Sequence, residues 1–164
     1  MELFRENTTG KQADIKTEFS IKREGDILHC FYKAFDTSFY SASEVDNGNL
    51  FDGDVVEIFI YIGEKDSYLE IEVAPNGTTF VANITNRKIN YIDNSFVKTK
   101  VEKKEKDYFV SLDIDLSRFN VQVPIEYNAF RIERENGEVP YRLYALNPTL
   151  CGTFHVRDKF IFLK

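Results

Sequence analysis

Two segments in which apolar residues recur at every second position, Asp54 to Ile62 and Tyr68 to Ala74, flank the short polar stretch Gly63-Glu64-Lys65-Asp66-Ser67 and run into Pro75-Asn76-Gly77. A helix would scatter such a pattern around its axis, whereas a strand sorts it onto two faces. Val56, Ile58, Ile60 and Ile62 fall on one side of the first segment, and Val55, Glu57, Phe59 and Tyr61 on the other. In the second, Leu69, Ile71 and Val73 form the apolar side, and Tyr68, Glu70 and Glu72 the opposite one. A hairpin pairing Tyr61 with Tyr68 places Phe59 near Glu70 and Glu57 near Glu72. One sheet face is then aliphatic, and the other sets carboxylates beside aromatic rings, which is what a sugar or a cation would meet.

The remaining segments read as strands too. Ile15 to Lys22 and Ile27 to Phe35 flank the turn Glu24-Gly25-Asp26, and Thr78 to Thr85 follows the turn at Asn76-Gly77. Ser95 to Lys103 pairs with Asp107 to Ile114, Leu116 to Asn120 reads as one helical turn, and Tyr127 to Glu133 joins Val139 to Ala145 across Asn136-Gly137. Lys159 to Leu163 is expected as an edge strand, and Ser38 to Gly53 as a long loop of the kind that carries binding. With 15 Phe and 9 Tyr beside abundant Val and Ile, the composition favours strands. The expected fold is all-β, a two-sheet antiparallel β-sandwich, with residues 1–164 forming one domain.

Charge and patterning exclude several partners. A net charge of -6 argues against nucleic acid, and the basic run Lys98 to Lys106 is interleaved with Glu102 and Glu105, as on a solvated strand and turn. No apolar run approaches the ~20 residues of a membrane span, so no membrane partner is expected. Met1 to Gly10 is polar, unlike a signal peptide, so the chain as given reads as cytoplasmic, or as extracellular if it is a fragment of a larger exported protein. Cys30 and Cys151 have no metal-binding spacing, and free thiols are the preferred reading, with a disulfide as the alternative.

Two acidic groups call for weighing. Asp46, Asn47, Asn49, Asp52 and Asp54 supply hard oxygen ligands, with Gly48 and Gly53 allowing tight turns, so Asp46, Asp52 and Asp54 are candidates for a structural calcium. The competing reading is a set of turn-forming Asx residues. No other cofactor is expected. For Glu57, Glu70 and Glu72, a ligand role competes with exposed positions on a half-solvated sheet, balanced by Arg87 or Arg131 on neighbouring strands. The same glutamates could serve as a glycosidase acid and base, but no hydrolase signature accompanies them, and the chain is read as not an enzyme.

Three stretches carry a family resemblance. They are Asp26 to Asp36; the paired motifs in Phe51-Asp52-Gly53-Asp54-Val55-Val56-Glu57-Ile58-Phe59-Ile60 and Tyr68-Leu69-Glu70-Ile71-Glu72-Val73-Ala74-Pro75-Asn76-Gly77; and the closing Asn128-Ala129-Phe130-Arg131-Ile132, Ala145 to Thr149 and Phe154 to Phe160. In these the chain resembles the family 9 carbohydrate-binding modules and their stand-alone bacterial relatives, whose sandwich is related to the DOMON domains. The resemblance implies non-catalytic binding of a saccharide or polysaccharide, beside or attached to a glycoside hydrolase, with structural calcium in some members. DOMON-type haem ligation through His and Met is not expected, because the sole Met is Met1. Family members clamp a sugar between two rings, typically Trp, and this chain has no Trp. Phe39, Tyr40, Phe51, Tyr68, Tyr141 and Tyr144 are the candidate substitutes, because any ring face can cover the apolar face of a pyranose. Glu57 matches the family motif, Glu70 and Glu72 share its face, and Arg87 and Arg131 are candidates for bonding adjacent hydroxyls. A domain that keeps the fold, has lost the clamp and serves as a protein-interaction scaffold is the second reading.

Overall fold

A computed structural model describes residues 1–36, 38–63, 66–121, 123–137 and 141–164. In chain order its strands are β1 (Glu2–Leu3), β2 (Arg5–Glu6), β3 (Thr17–Glu24), β4 (Ile27–Phe35), β5 (Val55–Tyr61), β6 (Ser67–Val73) and β7 (Thr79–Thr85). There follow β8 (Lys88–Tyr91), β9 (Val97–Lys103), β10 (Asp107–Asp115), β11 (Glu126–Glu133), β12 (Arg142–Ala145) and β13 (Ile161–Phe162). Every pairing is antiparallel. The smaller sheet runs β1-β3-β4-β10-β9 and the larger β2-β12-β11-β5-β6-β7-β8, with β13 also on β11. This is the expected two-sheet sandwich.

Local chemistry sets the hairpins. β5 and β6 pair Tyr61 with Tyr68, Phe59 with Glu70 and Glu57 with Glu72, the register that the alternation predicts. Glu64 and Lys65 of their connection lie outside the described residues. β3 and β4 close with Glu24 opposite Ile27, and Gly25 in the turn has a φ of 61°. β7 and β8 close with Thr85 opposite Lys88, leaving Asn86 and Arg87 as a two-residue turn with φ of 50° and 63°. Positive φ at both central positions matches the twist of the flanking strands.

Between the sheets, Phe19, Leu28, Tyr32, Tyr108, Val110 and Leu112 of the smaller sheet meet Val56, Ile58, Ile60, Leu69, Ile71 and Tyr127 of the larger. The sheets differ on their outer faces. β4 and β10 alternate buried with more exposed residues, so that the smaller sheet is wet on one side. β6 is buried at every position and β5 at all but the last. A second apolar cluster, with Leu50, Phe59, Tyr68, Phe80, Phe130, Phe154 and Phe160, covers the outside of the larger sheet.

Several details depart from the sequence reading. Leu116 to Asn120 holds a hydrogen-bonded turn, Phe119 N to Leu116 O at 2.9 Å, and no helix is assigned there. β12 begins at Arg142, and residues 138–140 lie outside the described set. The C-terminal strand shortens to Ile161–Phe162. β1, β2 and β8 were not expected. Both cysteines are free.

Candidate functional site

Glu57, Glu70 and Glu72 stand together on the outer face of β5 and β6, and one carboxylate oxygen from each lies within 4.8 Å of the others. They are only 2%, 6% and 2% exposed. Burial is the main cause that raises all three acid constants. Glu57 and Glu72, which also feel neighbouring carboxylates, go well above the usual carboxylate range, and Glu70 goes to about 7. Among the described residues no cation counters these shifts, and Glu72 Oε2 is buried without a hydrogen-bond partner.

Above these carboxylates lies a cleft of about 450 Å³. One flank is Phe80 of β7 with Ile89 and Tyr91 of β8; the other is Ile132 of β11 with Tyr141 and Leu143; Phe51 and Phe154 also line it. Ala82, opposite Glu70, adds little bulk to the floor. In strand order Tyr91 and Tyr141 stand on opposite sides of the glutamates, 58% and 45% exposed. A larger groove, about 690 Å³ beside β1 and β2, is lined by Phe4, Gln12, Asp14 and Lys16 and, among the described residues, contains no comparable cluster of buried carboxylates.

The chain after β12 forms the remaining wall. Asn128 of β11 donates from Nδ2 to Asn147 O at 2.8 Å and to Lys159 O at 3.2 Å, while its Oδ1 accepts from Asn147 N at 3.1 Å. Asn7 and Thr149 exchange two bonds, at 2.8 and 2.9 Å. Pinned at these points, the segment stacks Phe154 on Phe130 with centroids 4.3 Å apart and His155 on Phe59 at 5.2 Å. His155 Nδ1 and the Tyr68 hydroxyl share a hydrogen bond of 2.7 Å. Burial, with Arg87 nearby, holds the His155 imidazole below its ordinary acid constant, which favours its neutral form.

The residues singled out from sequence separate into groups. Glu57, Glu70 and Glu72 converge, but as a buried cluster rather than as exposed positions. Tyr68 shares their face yet is covered by His155 and Phe160. Arg87, a turn residue, lines an adjoining recess of about 490 Å³ that meets the cleft at His155. Arg131 does not reach this face. One residue away from Phe130 and Ile132, it points between the sheets, where it donates to Phe35 O at 2.8 Å and Thr17 Oγ1 at 3.1 Å and pairs with Glu133. Tyr144 also faces inward, and its hydroxyl donates to Asp14 Oδ1 at 2.6 Å.

Asp46, Asp52 and Asp54 do not converge on one point. Asp46 accepts from Thr79 N at 2.8 Å, Asp52 pairs with Arg134 at 3.2 Å, and Asp54 accepts from Tyr40 N and Arg134 N at 2.6 and 2.7 Å. Asp46 ties the long loop to β7, while Asp52 and Asp54 tie it to Arg134 after β11, as turn-forming Asx residues do. Of the other ring candidates, Phe51 and Tyr141 line the cleft, whereas Phe39 packs against Tyr108 with centroids 5.9 Å apart. Tyr40 approaches Gly137, where an added Cβ would come within 2.9 Å of its ring. Sequence reasoning passed over Tyr91 and Phe154. For Tyr91 there was a usable signal, the alternation of Ile89 with Tyr91 after the turn-forming Asn86.

No established protein family matches the sequence, and no curated protein does. Solved structures do match. A candidate carbohydrate-binding protein from Bacteroides uniformis superposes with a TM-score of 0.83 at 16% identity, over 99% of this chain and 84% of its own. A family 9 carbohydrate-binding module from Caldicellulosiruptor kristjanssonii, in complex with glucose, gives 0.73 at 14% identity, over 99% and 83%. A family 9 module from the same organism with cellotriose gives 0.65 at 15% identity, over 87% and 70%. The two antiparallel sheets of this chain therefore have the fold of the family 9 carbohydrate-binding modules.

Proposed function

We propose that this chain is a non-catalytic carbohydrate-binding module that holds a saccharide in the cleft above Glu57, Glu70 and Glu72. The observation that carries this reading is the cleft itself, a concave site with solvent-facing rings on both flanks and buried carboxyl groups on its floor. Tyr91 and Tyr141, exposed on opposite flanks of the cleft, are rings available to stack on the apolar face of a saccharide. The carboxyl groups accept hydrogen bonds from hydroxyls, and Asn49 and Thr153 on the rim add polar partners. Fold likeness to modules solved with glucose and with cellotriose supports the same assignment.

The grouping of the floor carboxyls supports binding over hydrolysis in this reading. A glycosidase sets an acid and a second carboxylate on either side of the scissile bond, whereas these three groups crowd together beneath one face of the cleft. A glycoside hydrolase, attached or separate, is the partner such a module would serve. A glycan-array screen followed by titration calorimetry tests the assignment. Related saccharides should bind, and Tyr91→Ala and Tyr141→Ala should each weaken them at least tenfold. A blank array from folded protein would instead favour an interaction domain that keeps the fold without the sugar clamp.

A further inference from the structure

The charge of the cleft floor narrows the ligand class within the saccharide reading on which this inference rests. Buried carboxyl groups are stable when paired, yet among the described residues burial of this trio meets no protein cation. Arginines near this sheet are placed elsewhere: Arg131 lies between the sheets, and Arg87 and Arg157 line the recess beyond His155. Glu72 shares a hydrogen bond with Glu70, while its Oε2 is buried with no hydrogen-bond partner among the described residues. Burial holds these groups protonated, and a neutral sugar would leave them so, whereas a cation would favour their ionised forms and compensate the charge they then carry.

We infer that the cleft selects a saccharide carrying a protonated primary amine, such as a 2-amino-2-deoxyhexose, with the ammonium seated among Glu57, Glu70 and Glu72. An ammonium offers three N–H donors, one for each carboxyl group. The tetrahedral N–H bonds of an ammonium set acceptors at about 2.8 Å roughly 4.6 Å from one another, and these oxygens lie within 4.8 Å of one another. The walls suit the same charge. Phe80, Tyr91, Tyr141 and Phe154 line the cleft, and ring faces attract organic cations. A divalent metal fits the surroundings less well: calcium takes about six to eight oxygens at about 2.3–2.6 Å, while the side chains around the trio are chiefly aromatic and aliphatic.

Calorimetry on the wild-type protein with three trisaccharides, all in EDTA, decides the matter: a glucosamine oligomer, its N-acetylated form and the neutral glucose oligomer. The amine form should bind at least tenfold more tightly than either of the others, and added salt should erode that margin. Glu57→Gln and Glu72→Gln, checked for folding by circular dichroism, should lose the preference. Equal affinity for the amine and neutral forms would overturn the inference while leaving the saccharide reading intact. So would binding that appears only when calcium replaces EDTA. If none of the three binds but other glycans on the array do, the amine assignment falls alone; if nothing binds, both readings fall.

Discussion

Arg131 and Glu57 sit on neighbouring strands of one sheet, and the parity of their positions sends them to opposite environments. The Arg131 guanidinium is fully buried between the sheets with Glu133 against it and Asp36 at 3.9 Å, so the charge is satisfied inside the fold. Arg131→Ala should therefore cost about 3–5 kcal/mol, because it strands the carboxylates that the guanidinium neutralises, and urea denaturation would show the loss directly. Glu70 behaves in the reverse sense. Its acid constant is about 7 in the folded chain against an ordinary 4.5, so folding favours the protonated form. That favourable state is complete below about pH 4.5 and is lost as pH rises through 7. Asp54, also raised to about 7, adds a slope of the same sign. Thermal melts of the free protein should fall across this window, and Glu70→Gln should flatten the fall and stabilise the protein at pH 8 by about 1–3 kcal/mol. A melting temperature at pH 8 lowered by Glu70→Gln would contradict the account.

At the scale of elements, the site depends on two units with different legibility in the sequence. The β5–β6 hairpin is fully legible, because period two fixes which residues share a face and the pairing of Tyr61 with Tyr68 fixes the rest. How deeply that face is buried was not legible. Glu70 and Glu72 read as solvent positions because the segment bearing Phe154 and His155, which covers the same face, comes from far along the chain. β8 escaped notice for a related reason: all four of its residues are exposed, and its turn uses Asn86 and Arg87 with no glycine. Each unit has its own test. Asn128→Ala removes the bonds that hold the C-terminal wall, and should cost about 1–3 kcal/mol and weaken saccharide binding as well. Tyr91→Ala, at a position 58% exposed, should leave the melting temperature nearly unchanged and reduce affinity at least tenfold. Parallel melts and titrations on the two variants would separate a supporting wall from a contacting ring.

For the whole molecule, the asymmetry between the sheets locates the site. The smaller sheet keeps one wet face, so its residues alternate in the ordinary way, and the sandwich could be anticipated from that pattern. The larger sheet is covered on both faces, and its outer cover leaves open the cleft over the glutamates. The same three carboxyl groups that would select a ligand thus destabilise the empty fold, an arrangement common at binding sites. Stability and binding should then be linked through this floor. A ligand present at about a hundred times its dissociation constant stabilises the native state by about 2.7 kcal/mol, so a saccharide identified on the array should raise the melting temperature of the wild-type protein. With Glu57→Gln, Glu70→Gln and Glu72→Gln combined, the free protein should melt higher than wild type at pH 8, and the same saccharide concentration should barely move it. If the combined variant melted lower than wild type yet kept the full ligand-induced shift, the carboxyl groups would be supports of the sheet rather than the floor of a binding site.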